Sequence, residues 1–394
     1  MKKHDVIIIG GGPGGSTACS ILSKFGLDVG IIEREEFPRF HIGESLLPAT
    51  MPIFKEIGFF DKLNSGKYIQ KWGARFIDYK TDDEVYFGFT DGFNTEIPMA
   101  FEVPRSEFDQ DILEHALKWG ATLYRPEFVK DVKMTSTGVH LFTDKDEYFA
   151  NYLLDISGRD SVIGKKMRMR QTNKKLNNVA VFAHYEGVKR QPGIHEGDIT
   201  IGLLPQKSWT WLIPFKGNAT SVGVVRSQEF FDGEKDPGAY LENTLNQSPT
   251  VKVLMEGSKR VMDVQCIGNY SHTCETFFGD RWILCGDAAM FLDPIFSSGV
   301  HMSVSSSKYA CEALLEIWPK KGSFKDYGIG EKYEKKVRLG AKRFYGMISM
   351  FYQGSFVEQM KKTLNRNIMK QGFTSAVAGD VWNEDNFLFS KNIL

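Results

Sequence analysis

DVIIIGGGPGGSTACSILSKFGLDVGIIE, residues 5–33, is the stretch that decides the fold. After its first residue the segment 5–9 is an unbroken apolar run, and 28–32 is a second run that ends at Glu33. Between them, residues 16–25 carry apolar side chains at helical spacing behind a glycine-rich turn. This order of elements predicts a β-α-β unit.

The turn of this unit has the spacing G-x-G-x-x-G, formed by Gly10, Gly12 and Gly15. Glycines at these positions permit a tight turn, the close approach of the backbone to a pyrophosphate and close packing of the helix on the strand. The helix N-terminus then faces the phosphates, and Glu33 stands where a carboxylate accepts from ribose hydroxyls. We predict a dinucleotide bound by Gly10, Gly12, Pro13, Gly14, Gly15, Glu33 and Arg34.

The composition is that of a globular protein without a polyelectrolyte partner. The 394 residues are 42% hydrophobic and 25% charged, which allows two or three substructures with cores of their own. Lys+Arg and Asp+Glu both number 49, so the formal net charge is zero. We therefore expect neither a nucleic-acid partner nor an anionic membrane as a partner.

Targeting features and cysteine usage favour the cytoplasm. The chain enters its first predicted strand too early for a signal peptide, and no apolar stretch is long enough for a membrane span. The five cysteines are odd in number and lack C-x-x-C spacing. We expect neither a disulfide framework nor a metal site.

Strand-like alternation fills residues 178–227, with runs at 179–184, 198–203, 209–214 and 220–225, and predicts a separate antiparallel sheet. Within it, residues 208–215 read SWTWLIPF. Trp209 and Trp211 project from one face of an extended strand, and Pro214 removes a ladder donor at its exit. The pair predicts a rigid apolar wall, although a Trp-x-Trp strand taken alone is most often one buried face of a sheet.

The remaining motifs precede and follow the segment 178–227 in the sequence. A turn at 155–161 reads DISGRDS, and a short apolar strand at 282–286 ends in Gly286-Asp287. Residues 293–299 read DPIFSSG and precede a helix of small residues from about Val300 to Trp318. Residues 103–120 and the tail from 330 onward are also predicted to be helical.

Three of these features together resemble flavoproteins of the aromatic-hydroxylase superfamily: the N-terminal glycine fingerprint, the Gly286-Asp287 turn and the turn at 155–161. This resemblance implies FAD rather than NAD. Within that superfamily the W-x-W-x-I-P string, the loop 43–45 (Gly-Glu-Ser) and the segment 293–299 are similar to the flavin-dependent halogenases. The similarity is strongest to the branch that acts on phenols, pyrroles and carrier-bound aromatics.

The resemblance implies an α/β fold with three parts: a Rossmann-type, glutathione-reductase-like FAD-binding domain, an antiparallel-sheet substrate domain and a C-terminal helical cap. We assign residues 1–75, 100–170 and 270–325 to the first, 76–99 and 171–269 to the second, and 326–394 to the third. The resemblance also adds residues to the predicted cofactor site, namely Gly43, Glu44, Ser45, Arg105, Gly286, Asp287, Pro294 and Gly299.

The chemistry implied by the resemblance starts from reduced FAD (FADH2) and O2, which form a flavin C4a-hydroperoxide. A halide, chloride or bromide, attacks the distal oxygen and gives hypohalous acid. Backbone N–H groups of Ser298 and Gly299 would hold the halide, helped by the dipole of a helix that starts at Val300. Trp209 and Trp211 would separate the flavin and halide from the substrate.

The family's catalytic lysine lies in a stretch that ends in Lys-x-Gly-Ala, and residues 71–74 read KWGA. By resemblance, Lys71 would receive the oxidant as a chloramine, or hold hypohalous acid by hydrogen bonding and polarise it toward the ring. Both roles stay open. Either suits an amine whose pKa is lowered by partial burial.

Phe296 departs from the pattern of the tryptophan halogenases, which carry a glutamate at this position. We therefore expect an electron-rich phenol, resorcinol or pyrrole as the substrate, either free or bound to a carrier protein. Nothing in the chain resembles a second nicotinamide-binding unit. A separate NAD(P)H:flavin reductase is accordingly expected as a partner.

Three other functions share parts of this pattern. A reductase or dehydrogenase of the geranylgeranyl-reductase type has the FAD fold and a similar string, with Tyr and Phe where this chain has Trp209 and Ile213. An aromatic monooxygenase would use the same hydroperoxide to hydroxylate a substrate that reaches the flavin. A flavin-binding scaffold without turnover is the third, and the intact motifs argue against it.

Overall fold

The computed structural model describes residues 1–93, 96–231 and 236–391. The strands are β1 (Lys2–Ile9), β2 (Val29–Ile32), β3 (Ile69–Lys71), β4 (Gly73–Ile77), β5 (Glu84–Gly88), β6 (Ala100–Glu102), β7 (Thr122–Tyr124), β8 (Val129–Met134), β9 (Val139–Thr143), β10 (Glu147–Asp155), β11 (Arg170–Thr172), β12 (Asn178–Glu186), β13 (Ile199–Leu204), β14 (Ser208–Pro214), β15 (Ala219–Ser227), β16 (Lys259–Arg260), β17 (Gln265–Gly268), β18 (His272–Cys274), β19 (Trp282–Leu284) and β20 (Met290–Phe291). The α-helices are α1 (Pro13–Lys24), α2 (Met51–Glu56), α3 (Phe60–Leu63), α4 (Arg105–Leu117), α5 (Val162–Lys166), α6 (Pro237–Leu245), α7 (Pro249–Met255), α8 (Ser298–Ile317), α9 (Ile329–Tyr352), α10 (Phe356–Thr363), α11 (Asn367–Val377) and α12 (Phe387–Ser390).

A mainly parallel sheet forms the cofactor side of the molecule. Its strands β7, β2, β1 and β10 are parallel neighbours in that order, and β19 also pairs in parallel with β10. The hairpin of β8 and β9 adds an antiparallel edge. Strand β2 is buried throughout, as expected of a parallel strand covered on both faces. The predicted β-α-β unit is confirmed as β1, α1 and β2.

Helix α1 begins at Pro13, earlier than the predicted start at residue 16. Proline fits the first helical position because its fixed φ suits the helix and its missing N–H is not needed there. The positions that follow are glycines because the close packing here leaves no room for a Cβ. A Cβ on Gly15 would lie 1.9 Å from the carbonyl oxygen of Gly10.

A second, mostly antiparallel sheet lies over the cofactor side. Its order is β16-β12-β15-β14-β13-β4-β5, with β17 also paired to β12, and only β13 and β4 run parallel to each other. Along β14, Trp209, Trp211 and Ile213 face the large core shared with the parallel sheet. Leu212 faces a smaller core beneath α6 and α7. The alternation predicted from the sequence thus places both indoles on one face.

The C-terminal residues form helices α9 to α12, as predicted. Within the described ranges, no helix is long and apolar enough to cross a membrane. The division into three domains remains a proposal, and its boundary between residues 75 and 76 falls inside β4. The ranges 76–99, 171–269 and 326–394 each include positions that lie outside the described residues.

Candidate functional site

A cavity of about 430 Å³ lies at the carboxyl ends of the parallel strands, against the indole face of the second sheet. Open α/β sheets bind ligands at this edge, where the strand order changes direction. The predicted site residues that line it are Gly10, Gly12, Pro13, Gly14, Glu33, Arg34, Gly43, Glu44, Ser45, Arg105, Trp209, Trp211, Asp287, Pro294 and Gly299. Four other predicted residues, Gly15, Lys71, Gly286 and Ser298, are not among the described residues that line it.

Glu33 stands at the mouth of the glycine loop with its carboxylate already engaged. One oxygen accepts the Gly11 N–H at 2.7 Å, and the other accepts the Glu35 N–H at 2.9 Å. Each carboxylate oxygen retains a further acceptor position, so Glu33 both holds the loop and offers acceptors to a ligand. Its neighbour Arg34 forms an ion pair with Asp160 across the cavity entrance.

Arg105, the first residue of α4, ties the 42–45 loop to the helix. Its guanidinium donates to Asp109 at 2.7 and 3.0 Å and to the carbonyl oxygens of Ile42 and Gly43 at 2.9 and 3.2 Å. The cationic neighbour Arg105 holds the pKa of Asp109 below its usual value against the opposing effect of burial. Arg105, which itself lines the cavity, therefore fixes the loop to α4.

Glu44 supplies a buried carboxylate to the cavity. Its Oε1 lies 2.8 Å from His184 Nε2 on β12, and the glutamate is 1% exposed. Its Oε2 has no hydrogen-bond partner among the described residues. A buried acceptor without a donor is rare in native proteins, so this oxygen is suited to a donor on a bound molecule.

The two indoles form the predicted wall. Their ring centroids are 5.8 Å apart. Trp211 Nε1 donates to Ser221 Oγ at 3.1 Å, and Trp209 Nε1 donates to the hydroxyl of Tyr352 at 2.9 Å. Tyr352, the last residue of α9, in turn donates to Asp293 Oδ2 at 3.1 Å. The wall is thereby connected to both the C-terminal helices and the 293–299 segment.

Lys71 lies behind the cavity wall and not in it. Its side chain is 1% exposed, and Nζ donates to Ser45 Oγ at 2.8 Å and to the Leu46 carbonyl at 3.2 Å. Ser45 lines the cavity. One hydroxyl therefore separates the amine from the space in which the dinucleotide is predicted.

Glu102 on β6 is the carboxylate that faces this amine, with its Oε1 3.9 Å from Lys71 Nζ. Both groups are fully buried. Burial lowers the pKa of Lys71, and the nearby carboxylates of Glu102 and Asp198 oppose that effect. Burial likewise raises the pKa of Glu102 to about 8. Burial therefore favours the neutral form of the amine, and the site places beside the amine a carboxyl group that holds a proton near neutral pH.

The segment 293–299 makes a sharp entry into α8. Ser297 has a left-handed backbone with φ of 53°, and the helix starts at Ser298, so the predicted start at Val300 is wrong by two residues. Ser298 and Gly299 thus occupy the first turn, where the N–H groups have no acceptor within the helix. Burial raises the pKa of Asp293 to about 6. The hydrogen bonds that its carboxylate accepts from the Ile295 N–H, Asn178 and Tyr352 lower the pKa and only partly offset this effect.

Phe296 lies in a cluster of phenylalanine rings. Its centroid is 6.0 Å from Phe76, 6.3 Å from Phe351 and 6.3 Å from Phe356. The residue is 3% exposed. The second sheet, the 293–299 segment and the C-terminal helices thus meet through aromatic packing at this point.

Glu102 and His184 are among the polar residues of the site that were not predicted from the sequence. Glu102 is a lone acid in the apolar run 99–103, and such a placement is a usable signal that a buried partner exists. His184 ends an alternating strand, where nothing distinguishes it from a surface histidine. Its pairing with Glu44 depends on contact between segments far apart in the chain.

Comparisons with known proteins match most of the chain. The family described as FAD binding domain matches residues 3–336. A 1H-pyrrole-2-carbonyl-(peptidyl-carrier protein) chlorinase from Pseudomonas fluorescens is 31% identical over 382 residues, which covers 90% of this chain and 85% of the relative.

Two solved structures are similar over the whole chain. A flavoprotein/dehydrogenase from Cytophaga hutchinsonii has a TM-score of 0.91 at 28% identity, and the match covers 99% of this chain and 96% of that protein's chain. The flavin-dependent brominase Bmp2 has a TM-score of 0.89 at 26% identity, and the match covers 100% of this chain and 98% of the brominase chain. The mixed α/β fold with its antiparallel sheet and C-terminal helices is therefore shared with both.

Proposed function

The chain belongs to the flavin-dependent halogenases, within the family that carries this FAD binding domain, and from that membership we propose that it halogenates an electron-rich aromatic ring. FADH2, O2 and chloride or bromide are the co-reactants. One observation carries the proposal: the amine of Lys71 is buried directly behind Ser45, which lines the cofactor cavity. Lysine is almost never fully buried unless it is paired, and a buried amine readily changes its pKa, as catalytic lysines do.

Two features of the cavity fit FAD. A Cβ built on Gly12 would meet only the Arg39 guanidinium, at 3.7 Å. The loop therefore leaves open the space through which a pyrophosphate would approach the backbone. Glu44 Oε2 offers a buried acceptor to a donor on the ligand. We assign FAD to the residues Gly10, Gly12, Pro13, Gly14, Gly15, Glu33, Arg34, Gly43, Glu44, Ser45, Arg105, Gly286, Asp287, Pro294 and Gly299.

When bound, reduced FAD would supply two electrons and two protons, which together with one further proton convert O2 and a halide ion into water and hypohalous acid. The N–H groups of Ser298 and Gly299 open α8 and are assigned to the halide, because anions are stabilised at a helix N-terminus. Gly299 lines the cavity. The halide would therefore be held on the cofactor side of the indole wall.

Trp209 and Trp211 keep the aromatic substrate from the cofactor. Their indole N–H groups are both used in hydrogen bonds, so the rings are held in place. A fixed apolar wall also excludes water, which limits the loss of hypohalous acid to side reactions.

Lys71 transfers the halogen. In one route the neutral amine takes the halogen from hypohalous acid, water leaves, and the ring then takes the halogen while its proton returns to the amine. In the other route the amine donates a hydrogen bond to hypohalous acid and polarises it toward the ring. The ammonium form of Lys71 must lose a proton to become the neutral amine, and Glu102, whose Oε1 lies 3.9 Å from Nζ, would hold that proton.

A pyrrole, a phenol or a resorcinol is the proposed substrate. The chlorinase relative is named for a pyrrole bound to a peptidyl-carrier protein, and a carrier-bound or a free ring both fit the proposal. A separate NAD(P)H:flavin reductase is the proposed source of FADH2. These partners follow from the halogenase assignment and are tested with it.

Phe296→Glu should destabilise the protein and should not create a tryptophan halogenase. The new carboxylate would lie among the rings of Phe76, Phe351 and Phe356. Burying a charge among apolar rings should lower the free energy of unfolding by at least about 3 kcal/mol. Phe296→Leu is the matched control and should cost under about 1.5 kcal/mol. Thermal unfolding of both variants measures this. Equal unfolding temperatures for the Glu and Leu variants would contradict the buried aromatic environment.

The function is tested by product analysis. The purified protein receives FADH2 from a separate reductase, O2, and either bromide, chloride or no halide, together with a panel of pyrroles and phenols. The panel is presented free and as carrier-protein thioesters. Mass spectrometry should find a halogenated ring only when a halide is present.

Other outcomes point to other functions. A hydroxylated product that forms without halide would indicate a monooxygenase. Dehydrogenation or alkene reduction would support the second candidate, which is favoured by the similarity to a structure described as a flavoprotein/dehydrogenase. FAD binding without any product would indicate a flavin-binding scaffold that has no turnover.

A further inference from the structure

We propose that Asp198 is a positioning residue for Lys71: its buried carboxylate binds the two N–H groups that follow the lysine and so sets the direction of the lysine side chain. Oδ1 of Asp198 accepts the Trp72 N–H at 2.6 Å and the Gly73 N–H at 2.8 Å. The carboxylate is 1% exposed. This inference rests on the proposed role of Lys71.

The N–H groups of Trp72 and Gly73 lie where the chain changes sheets. Lys71 ends β3, which pairs with β6, and Gly73 begins β4, which pairs with β5 and β13. The change of partner strand removes the usual ladder acceptor at this point. A buried N–H without an acceptor costs as much as a lost hydrogen bond, and Asp198 supplies the acceptor for both.

The other oxygen of the carboxylate is fixed from a different direction. Oδ2 accepts the hydroxyl of Tyr86 at 2.7 Å and lies 2.8 Å from His195 Nδ1. A carboxylate held by donors on β5 and on the turn 193–197 cannot rotate away from the lysine strand. Asp198 therefore acts as a fixed point between three segments of the chain.

Gly73 is required by this arrangement. A Cβ at that position would lie 2.3 Å from the Tyr86 hydroxyl oxygen and 2.5 Å from its ring. The glycine of the Lys-x-Gly-Ala stretch thus makes room for the tyrosine that holds Asp198. This gives the motif glycine a physical purpose beside the lysine.

A second contact places the same turn on the lysine strand. A Cβ on Gly197 would lie 2.2 Å from the carbonyl oxygen of Gln70. The backbone just before Asp198 therefore packs directly on the residue that precedes Lys71. Displacing this turn would move the strand end that carries the amine.

The test compares Asp198→Ala with Asp198→Asn. Asparagine keeps a side-chain oxygen that accepts the two N–H groups, whereas alanine removes the acceptor. Hydrogen–deuterium exchange of the peptide 69–77 reports the two amides directly. The ratio of halogenated product to FADH2 oxidised reports how well Lys71 is placed. Bound FAD per protein should stay unchanged in both variants.

For Asp198→Ala we expect amide exchange at least about tenfold faster and a product ratio at least about tenfold lower. Asp198→Asn should keep slow exchange and most of the product ratio. If the alanine variant does not fold, Gly197→Ala takes its place, because it displaces the turn while keeping the carboxylate, and it should lower the product ratio as well. Tyr86→Phe, which removes one donor and leaves the acceptor, should keep slow exchange.

Unchanged exchange in a folded Asp198→Ala variant would overturn the proposed contact. Faster exchange with an unchanged product ratio would overturn the positioning role. An asparagine variant as impaired as the alanine variant would do the same, since the acceptor is retained there. If the wild-type protein forms no halogenated product, the halogenase function fails, and the exchange comparison still decides whether Asp198 holds the strand.

Discussion

Replacing Lys71 by methionine should abolish halogenation and leave FAD binding intact. Methionine fills the space of the buried lysine stem but has no amine, so the halogen has no acceptor on the substrate side. We expect product formation to fall at least about a thousandfold. The FAD content should be unchanged because Lys71 does not line the cavity in the described part of the chain.

The variant is expected to fold. Glu102 is left without its cation. Burial raises the pKa of this carboxyl to about 8 in the wild-type protein although Lys71 lowers it, so the loss of the amine raises the pKa further. At neutral pH it therefore carries its proton, and no unpaired buried charge remains. The Lys71→Ala variant should lose the same activity and add the cost of a cavity.

Three measurements separate the loss of chemistry from the loss of cofactor: bound FAD, the rate of FADH2 oxidation, and free hypohalous acid trapped by a β-diketone. In Lys71→Met the oxidation of FADH2 should continue and the trapped oxidant should rise as product disappears. Lys67→Ala is the matched control, since its side chain is 38% exposed and pairs with Asp111. Retained halogenation in Lys71→Met would remove this residue from the mechanism.

Gly12→Val abolishes FAD binding without unfolding the protein. Gly12 has φ of −70° and ψ of −171°, an extended conformation that valine adopts freely. Its Cβ would have room in the protein, since only the Arg39 side chain lies near it, at 3.7 Å. The added methyl groups would instead occupy the approach of the pyrophosphate. We expect the Kd for FAD to rise at least about a hundredfold, or about 3 kcal/mol.

Two companion variants make this prediction specific. Gly12→Ala, with a smaller side chain, should weaken FAD binding less than the valine variant. Gly15→Val should fail to fold, because its Cβ would lie 1.9 Å from the Gly10 carbonyl oxygen. Calorimetric titration with FAD and thermal unfolding of the FAD-free protein measure both effects. A Gly12→Val protein that is purified with a full flavin content would contradict the placement.

Local patterns predicted much of the fold. The apolar runs and the helical spacing in residues 5–33 identified the first β-α-β unit, and the alternation in 208–214 placed Trp209 and Trp211 on one face. Both rest on side-chain periodicity, which needs only neighbours in sequence. The motifs also predicted membership of the flavin-dependent halogenases, which the family comparison confirms.

Element ends were predicted less well. Helix α8 starts at Ser298 because Ser297 takes a left-handed backbone at the turn. The apolar pattern becomes regular only after Val300, so it gives no information on the two residues before. Helix α1 starts at Pro13, and this start was missed because its first glycines have no side chains and so carry no apolar pattern.

The sequence alone predicted the glycine loop and the pair of indoles, since each is a short local pattern, and its resemblance to the halogenases singled out Lys71. Only the tertiary structure decided what surrounds them. It brought Glu102 and Asp198 to Lys71, His184 to Glu44, and Tyr352 to Trp209 and Asp293. These contacts join separate strands and helices, and they form because buried polar groups must find partners wherever the packing of the sheets and helices brings the chain together.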